Sequence, residues 1–130
     1  MRKLIIDPTP TTPSIVLDPD KKIYMISGES RPSDVREIYD QILSWLDEFS
    51  KYMININDIK DPVIFNFDLE YFNSSSAKLI LDICKTLADM REKGVDVSIK
   101  WHYDKDDEDL LEAGKEMSKI VKFSFEYIET

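Results

Sequence analysis

The tract Asn73-Ser74-Ser75-Ser76-Ala77-Lys78 places three consecutive hydroxyls between an apolar run that ends at Leu69 and another that begins at Leu79. Hydroxyls so placed can attack a substrate, cradle an anion, cap a helix or accept a phosphoryl group. Nucleophilic attack needs a base within hydrogen-bond reach. The chain has one histidine, His102, and no glycine-flanked elbow surrounds the serines. An anion-binding loop needs glycines so that backbone amides can approach the anion, and none of the three glycines, Gly28, Gly94 and Gly114, adjoins Ser74. Capping is the plain structural role: Asn73 or Ser74 can accept a hydrogen bond from a first-turn amide of the helix that follows. One cap uses one residue, so the adjacent hydroxyls stay open to a second role. A serine at a helix N-terminus also suits phosphorylation, because the helix dipole and free amides tolerate a dianion and Lys78 lies one turn along.

Other candidate groups read more simply. The run Asp104-Lys105-Asp106-Asp107-Glu108-Asp109 lacks the turn glycine and distal glutamate of a calcium-binding loop, and fits a solvated helix start whose carboxylates complement the dipole. Cys84 falls on the apolar face of its helix as a small buried residue. One cysteine and one histidine make no zinc constellation, so no metal and no cofactor is expected. Trp45 and Trp101 suit either core or interface anchors. A small enzyme working near His102 and Asp104 is the rival from another functional class, weakened by the want of a matched nucleophile or metal.

These groups must be positioned by regular elements. Leu4-Ile5-Ile6 is a short apolar run, and Thr9 to Pro13 is extended and punctuated by proline. Ser14–Asp18 and Lys22–Ser27 read as strands of a hairpin turning at Pro19-Asp20. From Asp34 the apolar residues Val35, Ile38, Tyr39, Ile42, Leu43, Leu46, Phe49 and Met53 keep helical spacing, with Ser33 as the expected N-cap. Val63, Phe65, Phe67 and Leu69 alternate as a strand that leads into the serines. Leu79, Ile80, Ile83, Cys84 and Leu87 return to helical spacing, and Gly94 stops that helix. A strand follows through Val95, Val97, Ile99, Trp101 and Tyr103. A weaker helix over about 106–119 and a strand over Lys122–Tyr127 complete the order. Strands alternating with helices predict an α/β fold, a mixed β-sheet of about five strands covered by three α-helices.

At 130 residues the chain fits one domain, 1–130, with 42% hydrophobic and 33% charged residues in a globular balance. A net charge of −9 repels phosphodiester backbones, so no nucleic-acid partner is expected. The single cysteine excludes an internal disulfide, and no apolar segment reaches the length of a membrane span. A cytoplasmic protein without membrane association is expected.

Four separated motifs resemble the SiaC family of bacterial regulatory phosphoproteins. They are Thr11-Thr12-Pro13-Ser14-Ile15, the Gly28-Glu29-Ser30 turn before Pro32, the tract Tyr71 to Lys78, and Trp101-His102-Tyr103-Asp104. The resemblance runs over nearly the whole chain. It implies a STAS-like domain, similar to antagonists of anti-sigma factors, that works by partner switching without catalysis of its own. A serine/threonine protein kinase modifies such proteins, a PP2C-type phosphatase reverses this, and the unmodified form binds and activates a diguanylate cyclase of the GGDEF type. Cyclic di-GMP and biofilm control are the implied outputs. The family's acceptor follows an Asn, which implies Ser74 here, with Ser75 as the alternate because serine replaces the usual threonine. The implied partner surface comprises Asn73, Ser74, Ser75, Ser76 and Lys78. The alternative is an anti-sigma factor antagonist acting on a transcriptional regulator.

Overall fold

The computed structural model describes residues 1–56 and 61–130. Strands β1 (Leu4–Ile6), β2 (Ser14–Asp18) and β3 (Ile23–Ser30) are followed by helix α1 (Val35–Asn55). Then come β4 (Val63–Phe72), α2 (Ser74–Glu92), β5 (Val97–Tyr103), α3 (Glu108–Val121) and β6 (Glu126–Glu129). The six strands lie in one sheet in chain order, in keeping with the mixed sheet of about five strands expected, with the short Leu4–Ile6 run as its first strand. β1, β2 and β3 pair antiparallel, while β3, β4, β5 and β6 run parallel.

The strand order follows from connection chemistry. The β2–β3 link is a hairpin, and Lys22 takes a left-handed φ of 56° to close it. Each later crossover passes through a helix and advances one strand in the same direction. Right-handed crossovers then put all three helices on one face. That face holds the core: Ile15, Ile26, Phe65, Phe67, Ile99 and Trp101 from the sheet meet Ile42, Trp45, Leu46, Ile80 and Ile83 from the helices, all at most 1% exposed. Both tryptophans are therefore core residues; their indole N–H groups donate to the Arg2 and Leu110 carbonyls at 3.0 Å. On the opposite face, β4 presents Ile64, Asn66, Asp68 and Glu70, as its alternation predicts.

Several boundaries differ from those predicted, each for a local reason. Asp34, not Ser33, caps α1; its extended backbone lets Oδ1 accept the Arg36 amide at 3.2 Å. Gly28-Glu29-Ser30 is not a turn but the end of β3, which continues beside β4 to the pairs Glu29–Tyr71 and Ser30–Phe72. The register slips between Gly28 and Glu29, as Gly28 faces Leu69 and Glu29 faces Tyr71, leaving Glu70 as an extra residue on β4. Gly28 has φ +92°, a left-handed value that costs glycine little. Strand β6 begins at Glu126 rather than Lys122, because Lys122 (φ 55°) ends α3 and the Phe123 amide turns back to the Ser118 carbonyl. Phe123 and Phe125 are consequently buried before pairing begins.

Candidate functional site

The serine tract stands at the junction of β4 and α2. Asn73 is the N-cap: its backbone is extended, and its Oδ1 accepts the Ser76 amide at 2.9 Å. The junction is tied to the neighbouring strand by the Asn73 amide, which donates to the Ser30 carbonyl at 2.9 Å. This contact explains why β4 outlasts its apolar alternation: the slip at Glu70 turns Phe72 inward, edge-on to Trp101 at 6.0 Å, and brings Asn73 against the end of β3.

The three serines occupy different environments. Ser74 and Ser75, the first two residues of α2, are exposed. Ser76 is 0% exposed, so the structure corrects the expectation that it meets a partner directly. Its Oγ instead donates to the Ser30 carbonyl at 3.1 Å and accepts from Ser30 Oγ at 2.8 Å. Ser30 Oγ has one proton and gives it to Ser76, so the 2.7 Å contact with Tyr39 must be donated by the tyrosine. A directed chain results, from Tyr39 Oη to Ser30 Oγ to Ser76 Oγ to the Ser30 carbonyl. Ser30 and Tyr39 are also 0% exposed, and burial raises the Tyr39 phenol above its ordinary pKa, opposed by its hydroxyl neighbours.

The rim of the site carries charges of both signs. Arg31 continues from Ser30, lies 5.8 Å from the Tyr71 ring centroid and pairs with Glu29 at 2.6 Å. Its amide donates to the Thr11 carbonyl at 2.9 Å, which draws the N-terminal threonine segment to the same place. Lys78 is exposed on α2 one turn beyond Ser74. Motifs distant in sequence, Thr11-Thr12, Gly28-Glu29-Ser30 and the serine tract, therefore converge at one end of the sheet. The fourth joins from below through Trp101.

Sequence reasoning did not single out Ser30, Arg31 or Tyr39 for this site. A signal existed for Ser30: Tyr24, Ile26 and Ser30 share the inward parity of β3, which places a hydroxyl in the core where it needs a partner. The pairing with Tyr39 joins residues nine apart, and the pairing with Ser76 joins residues 46 apart.

His102 lies apart from the serines, on the uncovered face of the sheet, with Nε2 2.9 Å from Asn66 Oδ1. The cleft beside it is lined by Asp68, Glu70, Asp104, Asp107 and Thr130 among others, with no serine or cysteine among the described residues. Asp107 caps α3 by accepting the Leu110 amide at 3.0 Å, and Asp104 accepts the Asp106 amide at 2.9 Å, so two of these carboxylates serve the turn. Among the described residues no group of three or more metal-ligating side chains converges. Cys84 is fully buried and its thiol is pushed well above the ordinary range by desolvation. Among the described residues no helix is long and apolar enough to cross a membrane.

With this geometry in place, comparison with known proteins decides the family. The model of the SiaC family of regulatory phosphoproteins matches residues 6–130. The chain belongs to that family. An uncharacterised protein of Pseudomonas aeruginosa strain UCBPP-PA14 is 30% identical over 125 residues, covering 96% of this chain and 94% of that one. Apo-SiaC from Pseudomonas aeruginosa superposes with a TM-score of 0.81 at 28% identity, over 100% of this chain and 99% of the other. SiaC in the crystal structure of the diguanylate cyclase SiaD with its activator SiaC gives 0.84 at 29% identity, over 98% and 99%. The SiaC fold, a mixed sheet with three helices, is thus shared along nearly the full length.

Proposed function

We propose that this protein is a non-enzymatic partner switch in which Ser74 is the phosphoacceptor, with Ser75 as the alternate. The unphosphorylated form binds and activates a diguanylate cyclase and so raises cyclic di-GMP, the signal for biofilm formation. A cognate serine/threonine kinase adds the phosphate and a PP2C-type phosphatase removes it, in the cytoplasm. Residues 1–130 act as one regulatory domain.

The observation that carries this reading is the exposure of Ser74 directly after the capping Asn73, in a chain that matches over 98% of its length the SiaC seen with SiaD. The docking surface comprises Asn73, Ser74, Ser75 and Lys78, with Ser76 supporting it from beneath. A phosphate on Ser74 brings about −1.5 to −2 charges to the rim. An interface fitted to a neutral hydroxyl would have to desolvate that dianion, and a hundredfold loss of affinity needs only about 2.7 kcal/mol. The change is local, and the fold need not alter.

The test is incubation with the cognate kinase and ATP, followed by peptide mass spectrometry and by cyclase assays with both forms. One phosphate on Ser74, loss of modification in Ser74→Ala, and cyclase stimulation by the unmodified form only are expected. Full modification of Ser74→Ala with Ser75 intact would move the acceptor to Ser75. Equal stimulation by both forms would refute the switch.

A further inference from the structure

The buried hydroxyls do something that neither capping nor surface exposure requires. They come from three elements: Tyr39 from α1, Ser30 from the end of β3 and Ser76 from the first turn of α2. All three are sealed from solvent, and among the described residues no buried side-chain polar atom lacks a hydrogen-bond partner. The chain ends on the Ser30 carbonyl, which also accepts the Asn73 amide, so both sides of Ser74 are fixed to a single oxygen. Successive side chains in an α-helix are about 100° apart, and two residues separate Ser74 from Ser76 by about 200°. A hydrogen bond that pulls Ser76 inward therefore turns Ser74 outward. The apolar face of α2, with Leu79, Ile80 and Ile83, sets the rotation of the helix as a whole, and the hydroxyl chain adds directional bonds that hold its first turn in that rotation.

We propose that the Tyr39–Ser30–Ser76 hydroxyl chain is the positioning element of the phosphoacceptor: it sets the rotation of the first turn of α2 and thereby the direction in which Ser74 meets the kinase. The inference rests on Ser74 being the acceptor. Tyr39, Ser30 and Ser76 act only through that turn and are positioning residues.

The experiment measures kinase-catalysed phosphorylation of the full chain at varied protein concentration for wild type, Tyr39→Phe and Ser76→Ala. Ile83→Val, a core change away from the hydroxyl chain, serves as a control of similar thermal destabilisation. Positioning predicts a kcat at least tenfold lower in both hydroxyl variants with KM changed less than about threefold, and a kcat within twofold of wild type in Ile83→Val. If Ser76→Ala does not fold, Tyr39→Phe, which removes one oxygen and keeps the ring, decides alone. Hydroxyl variants whose kcat tracks the Ile83→Val control would overturn the proposal, leaving the three groups as satisfied core hydroxyls. A wild-type chain carrying its phosphate elsewhere than Ser74 would remove the acceptor assignment and this inference with it, an outcome that peptide mapping separates from the first.

Discussion

Ser75 and Ser76 are adjacent, yet one faces solvent and the other is fully enclosed, so residue type alone says little about what a hydroxyl does here. Gly114 makes the same point in the core. A Cβ built there would lie 2.6 Å from Trp101 Nε1 and 2.7 Å from its Cδ1, and the indole is held by its bond to the Leu110 carbonyl. Gly114→Ala should therefore destabilise by about 1–3 kcal/mol despite the better helix propensity of alanine, read as a lower urea midpoint. An unchanged or raised midpoint would mean that the ring yields cheaply. The buried phenols supply a second prediction. Burial raises Tyr39 and, with Asp18 nearby, pushes Tyr24 up to about 12 from 10.0. A folded pKa above the unfolded one means that this contribution to stability is complete below pH 10 and is lost as pH rises towards about 12. Titration monitored at 295 nm should show Tyr24 and Tyr39 ionising only above the ordinary tyrosine range or on unfolding.

At the scale of elements, the start of α2 is capped by one side chain and joined to β3 by a backbone contact as well as by the Ser76 hydroxyl. The Asn73 side chain satisfies the Ser76 amide, and the Asn73 amide joins β3. Asn73→Ala should cost about 1 kcal/mol and lower the melting temperature by roughly 3–6 °C, whereas Asn73→Asp, an equally good cap, should stay within about 0.5 kcal/mol of wild type. Equal losses in both would show that something other than the cap is being removed. The slip opposite Gly28 matters to the same junction, because it lets Phe72 enter the core although Leu69 already points inward. Without it, the alternation of β4 would carry Phe72 to the uncovered face and shift the site by one residue.

At the scale of the whole molecule, the chain already carries a formal charge of −9. Two kinds of electrostatic effect could make a phosphate repel a partner: long-range repulsion or the local cost of burying a dianion. They respond differently to salt, since the screening length falls from about 10 Å at 0.1 M to 3 Å at 1 M. A switch acting through local desolvation predicts that the affinity difference between phosphorylated and unphosphorylated forms changes less than about threefold between 0.1 and 1 M salt, measured by calorimetry with the cyclase. A difference that vanishes in high salt would assign the switch to overall charge. Far-UV circular dichroism of the two forms should superimpose.

Much of this architecture was legible in the sequence, because a period of two or of three and four residues is a local consequence of which side must be dry. The alternation of Val63, Phe65, Phe67 and Leu69 predicts β4 and its buried face, and the spacing from Leu79 to Leu87 predicts α2 and its core side. A cap at Asn73 or Ser74 and the family resemblance belong to the same reading, and the structure selects Asn73. The end of β3 at Ser30 and the start of β6 at Glu126 were not legible, since each depends on pairing with, or closure against, distant residues. The fate of the three serines was decided in the same way. Asn-Ser-Ser-Ser at a helix start says that some hydroxyl caps and some hydroxyl is free. Only the packing of β3 and α1 beneath the first turn selects Ser76 for burial and leaves Ser74 and Ser75 outside, because a buried hydroxyl needs partners and Ser30 and Tyr39 lie 46 and 37 residues away along the chain.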